Sequence, residues 1–97
     1  MIVSFGDRLA ASLFDDRRSK DVRRFPVELH RIARRKLLYL HDAAALTDLA
    51  VPPGNRLERL RGERAGYYSI RINDQWRVVF RWEAGNALDV QVVDYHG

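Results

Sequence analysis

Cysteine is missing from all 97 residues, which removes disulfide staples and thiol nucleophiles and takes away the framework of a small exported fold. Long hydrophobic runs are missing too. No stretch approaches the roughly 18 apolar residues that a membrane span requires, so no membrane is expected. The opening Met1-Ile2-Val3-Ser4-Phe5-Gly6-Asp7 lacks the basic start and long apolar core of a secretory signal, and a cytoplasmic home is favoured. Glycine and proline are sparse, at six and three, and no glycine-rich motif can cradle a phosphate. Ser4, Ser12, Ser19 and Ser69 stand in no serine-hydrolase context. His30 and His41 lie eleven residues apart on one expected helix, which suits structural roles better than metal ligation. No metal or cofactor is expected.

What remains is an ordinary globular composition, 46% hydrophobic and 31% charged, in a chain long enough for one domain spanning residues 1–97 and too short for two. Charge is uneven. Residues 17–36 hold nine Lys or Arg against Asp21 and Glu28, a local +7 within a chain of net +4. Of the 17 basic residues, 15 are arginine, whose planar fork suits bidentate phosphate contact. Nucleic acid is the first partner to weigh, with RNA affinity that falls as salt rises. A solvated helix surface accounts equally well for the charge.

Periodicity orders the chain into helices followed by strands. Residues 2–5 form a short apolar strand, and Asp7 caps a helix reaching Leu13-Phe14, with Leu9, Ala10, Leu13 and Phe14 at helical spacing. Residues 15–21 read as a charged break. After Phe25-Pro26, Leu29, Ile32, Ala33, Leu37 and Leu40 recur as the apolar stripe of a second helix ending near His41-Asp42, with Arg31, Arg34 and Arg35 on its other face. Residues 43–49 add a further turn, and Val51-Pro52-Pro53-Gly54-Asn55 reads as a loop. Residues 56–61, 67–72, 76–82 and 88–93 then alternate as strands. Leu57 and Leu60 break the alternation of the first, which points to a bulge or an edge position. The fold class is α+β: a small antiparallel sheet packed on an N-terminal helical hairpin, with the N-terminal strand joining the sheet.

Pairing Ile72 with Trp76 across Asn73-Asp74-Gln75 sets Ile70 against Val78 and Tyr68 against Phe80, a fully apolar face. Arg71 then opposes Arg77. Directly opposed like charges destabilise a sheet unless something negative lies between them, so the pair suggests an anionic ligand such as phosphate. Pairing Trp82 with Leu88 sets Phe80 against Val90, Val78 against Val92 and Arg81 against Asp89. The other face collects Tyr67, Ser69, Arg71, Gln75, Arg77, Val79 and Arg81. It is either a hydrated surface or an RNA platform of arginine and a stacking tyrosine. The ending Asp94-Tyr95-His96 supplies an imidazole able to move protons near neutrality, as metal-free RNA cleavage requires.

Three stretches carry a resemblance: Pro52-Pro53-Gly54-Asn55-Arg56-Leu57-Glu58; Gly66-Tyr67-Tyr68-Ser69-Ile70-Arg71-Ile72-Asn73-Asp74-Gln75-Trp76-Arg77; and Val93-Asp94-Tyr95-His96. The chain resembles HigB-type toxins of the RelE/ParE superfamily over its whole length. That resemblance implies a RelE/ParE-like fold and a bacterial type II toxin that enters the ribosomal A site and cuts mRNA during translation without a metal. The implied partner is a HigA-like helix-turn-helix antitoxin, through whose complex alone operator DNA is bound. Matched to the family's motifs, Arg77 stabilises the phosphate, and Asp94, Tyr95 and His96 are the C-terminal residues linked to cleavage. Arg61 matches a basic position before Gly62; Arg71 is named from its place beside Arg77, which it would assist, and Glu58 is offered as a second acid or base. With Tyr67, Arg34 and Arg35 these complete the expected RNA contacts. Some members carry histidine at the position of Glu58 and arginine at that of Asn73. Two other readings stay open, a ParE-like toxin that poisons gyrase and an RNA-binding module without catalysis.

Overall fold

The computed structural model of the chain describes residues 1–95. Helices come first. The Asp7 side chain accepts from the Ala10 amide at 2.8 Å and starts α1, Arg8–Phe14, which buries Ala10, Ser12 and Leu13. That cap follows expectation, since a carboxylate satisfies amides left without partners in a first helical turn. The charged break is shorter than its composition suggested. Ser19 caps a further helix, α2, Lys20–Arg24, through the Val22 amide at 3.2 Å. After Pro26 a 3-10 turn, Val27–Leu29, leads directly into α3, His30–Asp42. Ala33, Leu37 and Leu40 form its buried stripe, four and three residues apart as a single helix face requires.

The sheet follows: β1 Glu58–Arg59, β2 Tyr67–Arg71, β3 Trp76–Glu83 and β4 Asn86–Asp94, antiparallel throughout and in chain order. β1 is only a two-residue edge strand, against the six residues expected. Arg56 sits at φ 45° just before it, a left-handed conformation that interrupts an extended run. The N-terminal residues do join the sheet beside β4, but through two isolated parallel bridges, Ile2 to Ala87 and Phe5 to Val90, and not as a regular strand. Gly6 crosses this edge so closely that a Cβ would stand 2.8 Å from Gln91 Cγ and 2.9 Å from the Asp89 carbonyl oxygen.

Register carries the site. β2 and β3 pair as expected: Tyr68 with Phe80, Ile70 with Val78, Arg71 with Arg77. β3 and β4 agree with expectation at Val78 and Val92, then slip, so that Arg81 pairs with Leu88 and Trp82 with Ala87. The cause is a bulge in which Asp89, at φ 52°, and Val90 together oppose Phe80. The extra residue explains why the buried positions of β4 fall at Ala87, Val90 and Val92 and not on strict alternation. Despite the slip, Arg81 Nη1 reaches Asp89 Oδ2 at 2.8 Å.

Ile70, Val78, Phe80, Val90 and Val92 on the inner face pack with Leu37, Leu40, Ala33, Leu13 and Phe25 of the helical layer. Trp76 and Trp82 pack against the same cluster, with Trp76 edge-on to Phe25 at 4.8 Å. The two inner histidines are structural. His41 Nδ1 accepts from the Ile2 amide at 3.2 Å, and His30 Nε2 lies 3.0 Å from the carbonyls of Val22 and Phe25. None of the helices described is long and apolar enough to cross a membrane.

Candidate functional site

The outer face of the sheet is arranged in rows set by the strand pairing. Arg71, Arg77 and Val93 form one row, at the end nearest the β2–β3 turn. Glu58, Ser69, Val79 and Gln91 form the next. The middle of this face is dry: Ser69 and Val79 are 1% and 0% exposed. A fully hydrated sheet surface is therefore not what surrounds the paired arginines.

The turn is built to hold them. Asn73 Oδ1 accepts from the amides of Gln75 and Trp76, at 2.9 and 2.7 Å, a side-chain cap that fixes a tight turn. The Asn73 carbonyl and, at 3.1 Å, the Trp76 carbonyl both accept from Arg77 Nη1. With Nη1 occupied in this way, Nε and Nη2 are the donors of the Arg77 fork left for an anion. Arg71 bonds to Asp74 Oδ1. Part of the negative charge that the opposed arginines called for is thus supplied within the turn, by a carboxylate that is almost fully exposed. Such an exposed ion pair is cheap to exchange for another anion.

The tail of β4 closes the site. Trp76 pairs with Asp94, the Tyr95 amide donates to the Gln75 carbonyl at 2.7 Å, and Gln75 Nε2 donates to Asp94 Oδ2 at 2.9 Å. Arg77 then lies over the Tyr95 ring, 5.7 Å from its centroid, a cation–π contact that keeps the guanidinium beside the tail. Gln75 is the clamp that sequence reasoning left unassigned. Extending the Val78–Val92 pairing two residues to Trp76–Asp94 would have set it opposite Tyr95.

Among the expected site residues, the structure brings together Arg71, Arg77, Asp94 and Tyr95. His96 lies outside the described residues. Glu58 shares the outer face one row away, opposite Ser69. Tyr67 is further off, paired with Arg81, four residues or about 13 Å of strand from Arg71. Arg81 there donates a hydrogen bond to Asp89, and that bond, then the charge of Glu83, push its pKa above the ordinary value. Arg61 sits beyond Leu60, which pairs with Tyr67, so it too flanks the far end of the sheet. Arg34 and Arg35 are not on this face at all; they line a cleft among the helices. Helical periodicity told which side of α3 they occupy, but not that this side turns away from the outer sheet face.

The loop motif before β1 has a physical role of its own. Asn55 is fully buried, its amide donating to the Leu49 and Val51 carbonyls and its oxygen accepting from Lys36 Nζ. Burial first, then the charges of Arg35 and Arg71, hold the Lys36 pKa below its ordinary value. Among the described residues no three His, Asp or Glu side chains converge as metal ligands.

A family model described as RelE-like toxin of type II toxin-antitoxin system HigB matches residues 3–96. The chain belongs to this family. Toxin HigB-1 of Vibrio cholerae serotype O1 is 39% identical over 89 residues, 92% of each chain. Endoribonuclease HigB of Proteus vulgaris is 39% identical over 41 residues, 42% of this chain and 45% of that one. In fold, this HigB-like toxin is similar to a solved YoeB-YefM complex from Staphylococcus aureus, with a TM-score of 0.60 at 15% identity, covering 100% of this chain and 99% of that one. The helices-then-sheet architecture expected from the sequence is that of a RelE-like toxin.

Proposed function

We propose that residues 1–97 act as one cytoplasmic toxin domain that cuts mRNA on the translating ribosome without a metal, and that a HigA-like antitoxin neutralises it. The observation that carries this reading is the convergence of Arg71, Arg77 and Tyr95 beside Asp94, immediately before His96 in the chain. The Proteus vulgaris relative is by name an endoribonuclease, and toxin–antitoxin complexes are what the structurally similar proteins form.

RNA cleavage without a metal needs a proton taken from the 2′-hydroxyl, charge stabilised on the phosphate, and a proton given to the departing 5′-oxygen. Arg77, oriented by two carbonyls, offers its remaining donors to the phosphate, and Arg71 adds charge when Asp74 yields to the substrate. His96 handles a proton. Asp94 and Tyr95 set the position of the tail, with Tyr95 also a surface for a base to stack on. Glu58, one row away, is the second acid or base, and Tyr67 and Arg61 extend the RNA track along the same face.

Sequencing of RNA ends after induction tests the proposal. Cuts confined to translated messages are the expected result. DNA damage without mRNA cuts would instead indicate a gyrase poison, and ribosome binding without any cut would indicate an RNA-binding module.

A further inference from the structure

Arg71 and Arg77 oppose each other across β2 and β3, but they are not equivalent. The Arg77 fork is oriented by the carbonyls of Asn73 and Trp76, neutral acceptors that leave its charge available to an anion. Arg71 is held by a carboxylate, that of Asp74. A phosphodiester carries the same single negative charge as a carboxylate and likewise accepts through two oxygens, so Asp74 fills Arg71 with a stand-in for the substrate. At this end of the sheet two guanidinium groups, Arg71 and Arg77, are matched by two carboxylates, Asp74 and Asp94, within a chain of net +4. The turn itself is capped by Asn73 and not by Asp74, and the Asp74 side chain is 98% exposed against 30% for Arg71. Neither turn geometry nor packing therefore calls for a carboxylate at position 74.

We infer that Asp74 is a specificity-determining residue of the cleavage face: its carboxylate holds Arg71 until a phosphodiester already bound by Arg77 displaces it. The inference rests on the reading of this face as the site of mRNA cutting. Asp74 lies three residues from Arg71, and a group tethered so closely competes at an effective concentration in roughly the millimolar range. An RNA strand arriving from dilute solution meets Arg71 already neutralised. A phosphate fixed beside Arg77 is itself confined next to the opposed arginine, and it competes on equal terms for an ion pair that exposure keeps weak. The displaced carboxylate then stays in water, where its charge is hydrated at little cost. Loose RNA gains from Arg77 alone, whereas RNA presented in place gains from both arginines. Asp74 thereby separates passing polyanions from a message held in position.

Fluorescence anisotropy on the purified full chain tests this with a labelled single strand of 2′-O-methyl RNA about eight nucleotides long. That probe lacks the free 2′-hydroxyl that cleavage requires and so reads binding alone. Asp74→Asn should bind it about two- to fivefold more tightly than wild type. Its log–log salt slope should steepen by up to about 0.7, the contribution of one further phosphate contact on a single strand. Glu28→Gln makes the same charge change at an exposed position in the helical layer and should leave affinity at the wild-type value. In an Arg71→Gln background Asp74→Asn should change nothing, because the contact it relieves is gone. The half-saturating concentration on programmed ribosomes should shift less than the affinity for loose RNA, so discrimination between the two narrows. Asp74 is exposed and does not cap the turn, so its replacement carries little risk to folding, and Asp74→Ser repeats the comparison with a second side chain. Unchanged or weaker binding by Asp74→Asn, an equal gain in Glu28→Gln, a gain that survives Arg71→Gln, or equal shifts for loose and ribosome-held RNA would each overturn the inference. Absence of mRNA cutting by wild type would instead remove the nuclease reading, and the affinity comparison would still decide whether Asp74 guards Arg71.

Discussion

Asp7 ties the first helix to the far end of the chain, and removing it should cost about twice as much as removing a typical helix cap. One carboxylate oxygen accepts from Ala10 at 2.8 Å and the other from Val92 at 3.2 Å, so a single side chain starts α1 and holds β4 against it. Loss of the cap in Asp7→Ala costs about 1 kcal/mol. Leaving the amide of Val92, a residue only 3% exposed, without an acceptor adds about 1–2 kcal/mol. The net is about 2 kcal/mol once relief of carboxylate burial is set against it, or roughly 8–16 °C of melting temperature for a domain of this size. Asp7→Asn keeps one acceptor and cannot replace the other, so it should fall between Asp7→Ala and wild type.

A pH series sharpens the same test. Burial raises the Asp7 pKa above its ordinary 3.8, outweighing the two amide hydrogen bonds that lower it, and Asp21 raises it further. The folded protein therefore holds this proton more tightly than the unfolded chain, and the stability linked to it is complete below the unfolded value and disappears as pH rises through the folded value. Asn cannot titrate. The margin of wild type over Asp7→Asn, read by thermal melts, should widen as pH is lowered from 7 toward 4. A margin that is flat or shrinks over that range would refute burial as the dominant influence on Asp7, and melting temperatures of Asp7→Ala within 2–3 °C of wild type would refute the bridging role itself.

Two further outcomes follow from the site and its supports. Asn55→Ala should destabilise the fold by about 2–4 kcal/mol, because it strands the Lys36 ammonium and two carbonyls; urea denaturation with an unchanged midpoint would contradict that. Gln75→Ala should lower mRNA cutting about tenfold while moving stability by less than about 1 kcal/mol, because the Gln75 side chain holds Asp94 but the main-chain bond to Tyr95 survives. Cleavage assays paired with thermal melts separate the two effects.

The β2–β3 hairpin was legible because Tyr68, Ile70 and Ile72 alternate against Trp76, Val78 and Phe80, and a one-residue slip would turn every apolar side chain outward. The same logic failed beyond Val79. The left-handed residue at the bulge is an aspartate, with no glycine or asparagine to announce it. α2 was hidden for another reason: five residues with one partly buried Val22 make no periodic stripe, and the Ser19 cap was lost in a run of charge. The opposition of Arg71 and Arg77 was legible from the register, but pair counting across the strands could not reveal that Asp74, in the turn itself, folds back onto Arg71. Arg34 and Arg35 show the limit of a charge run as a guide. Helical spacing groups them on one face, and only packing decides which layer that face belongs to.

Single-turnover cleavage of a translated mRNA on programmed ribosomes tests the central claim most directly, comparing wild type with Arg77→Ala and His96→Ala. The account predicts that Arg77→Ala slows cutting by about 10²–10³-fold, the loss typical when a donor to the reacting anion is removed, and that His96→Ala also loses most of the activity, with both proteins still folded. Cutting at the wild-type rate by both folded variants would contradict it.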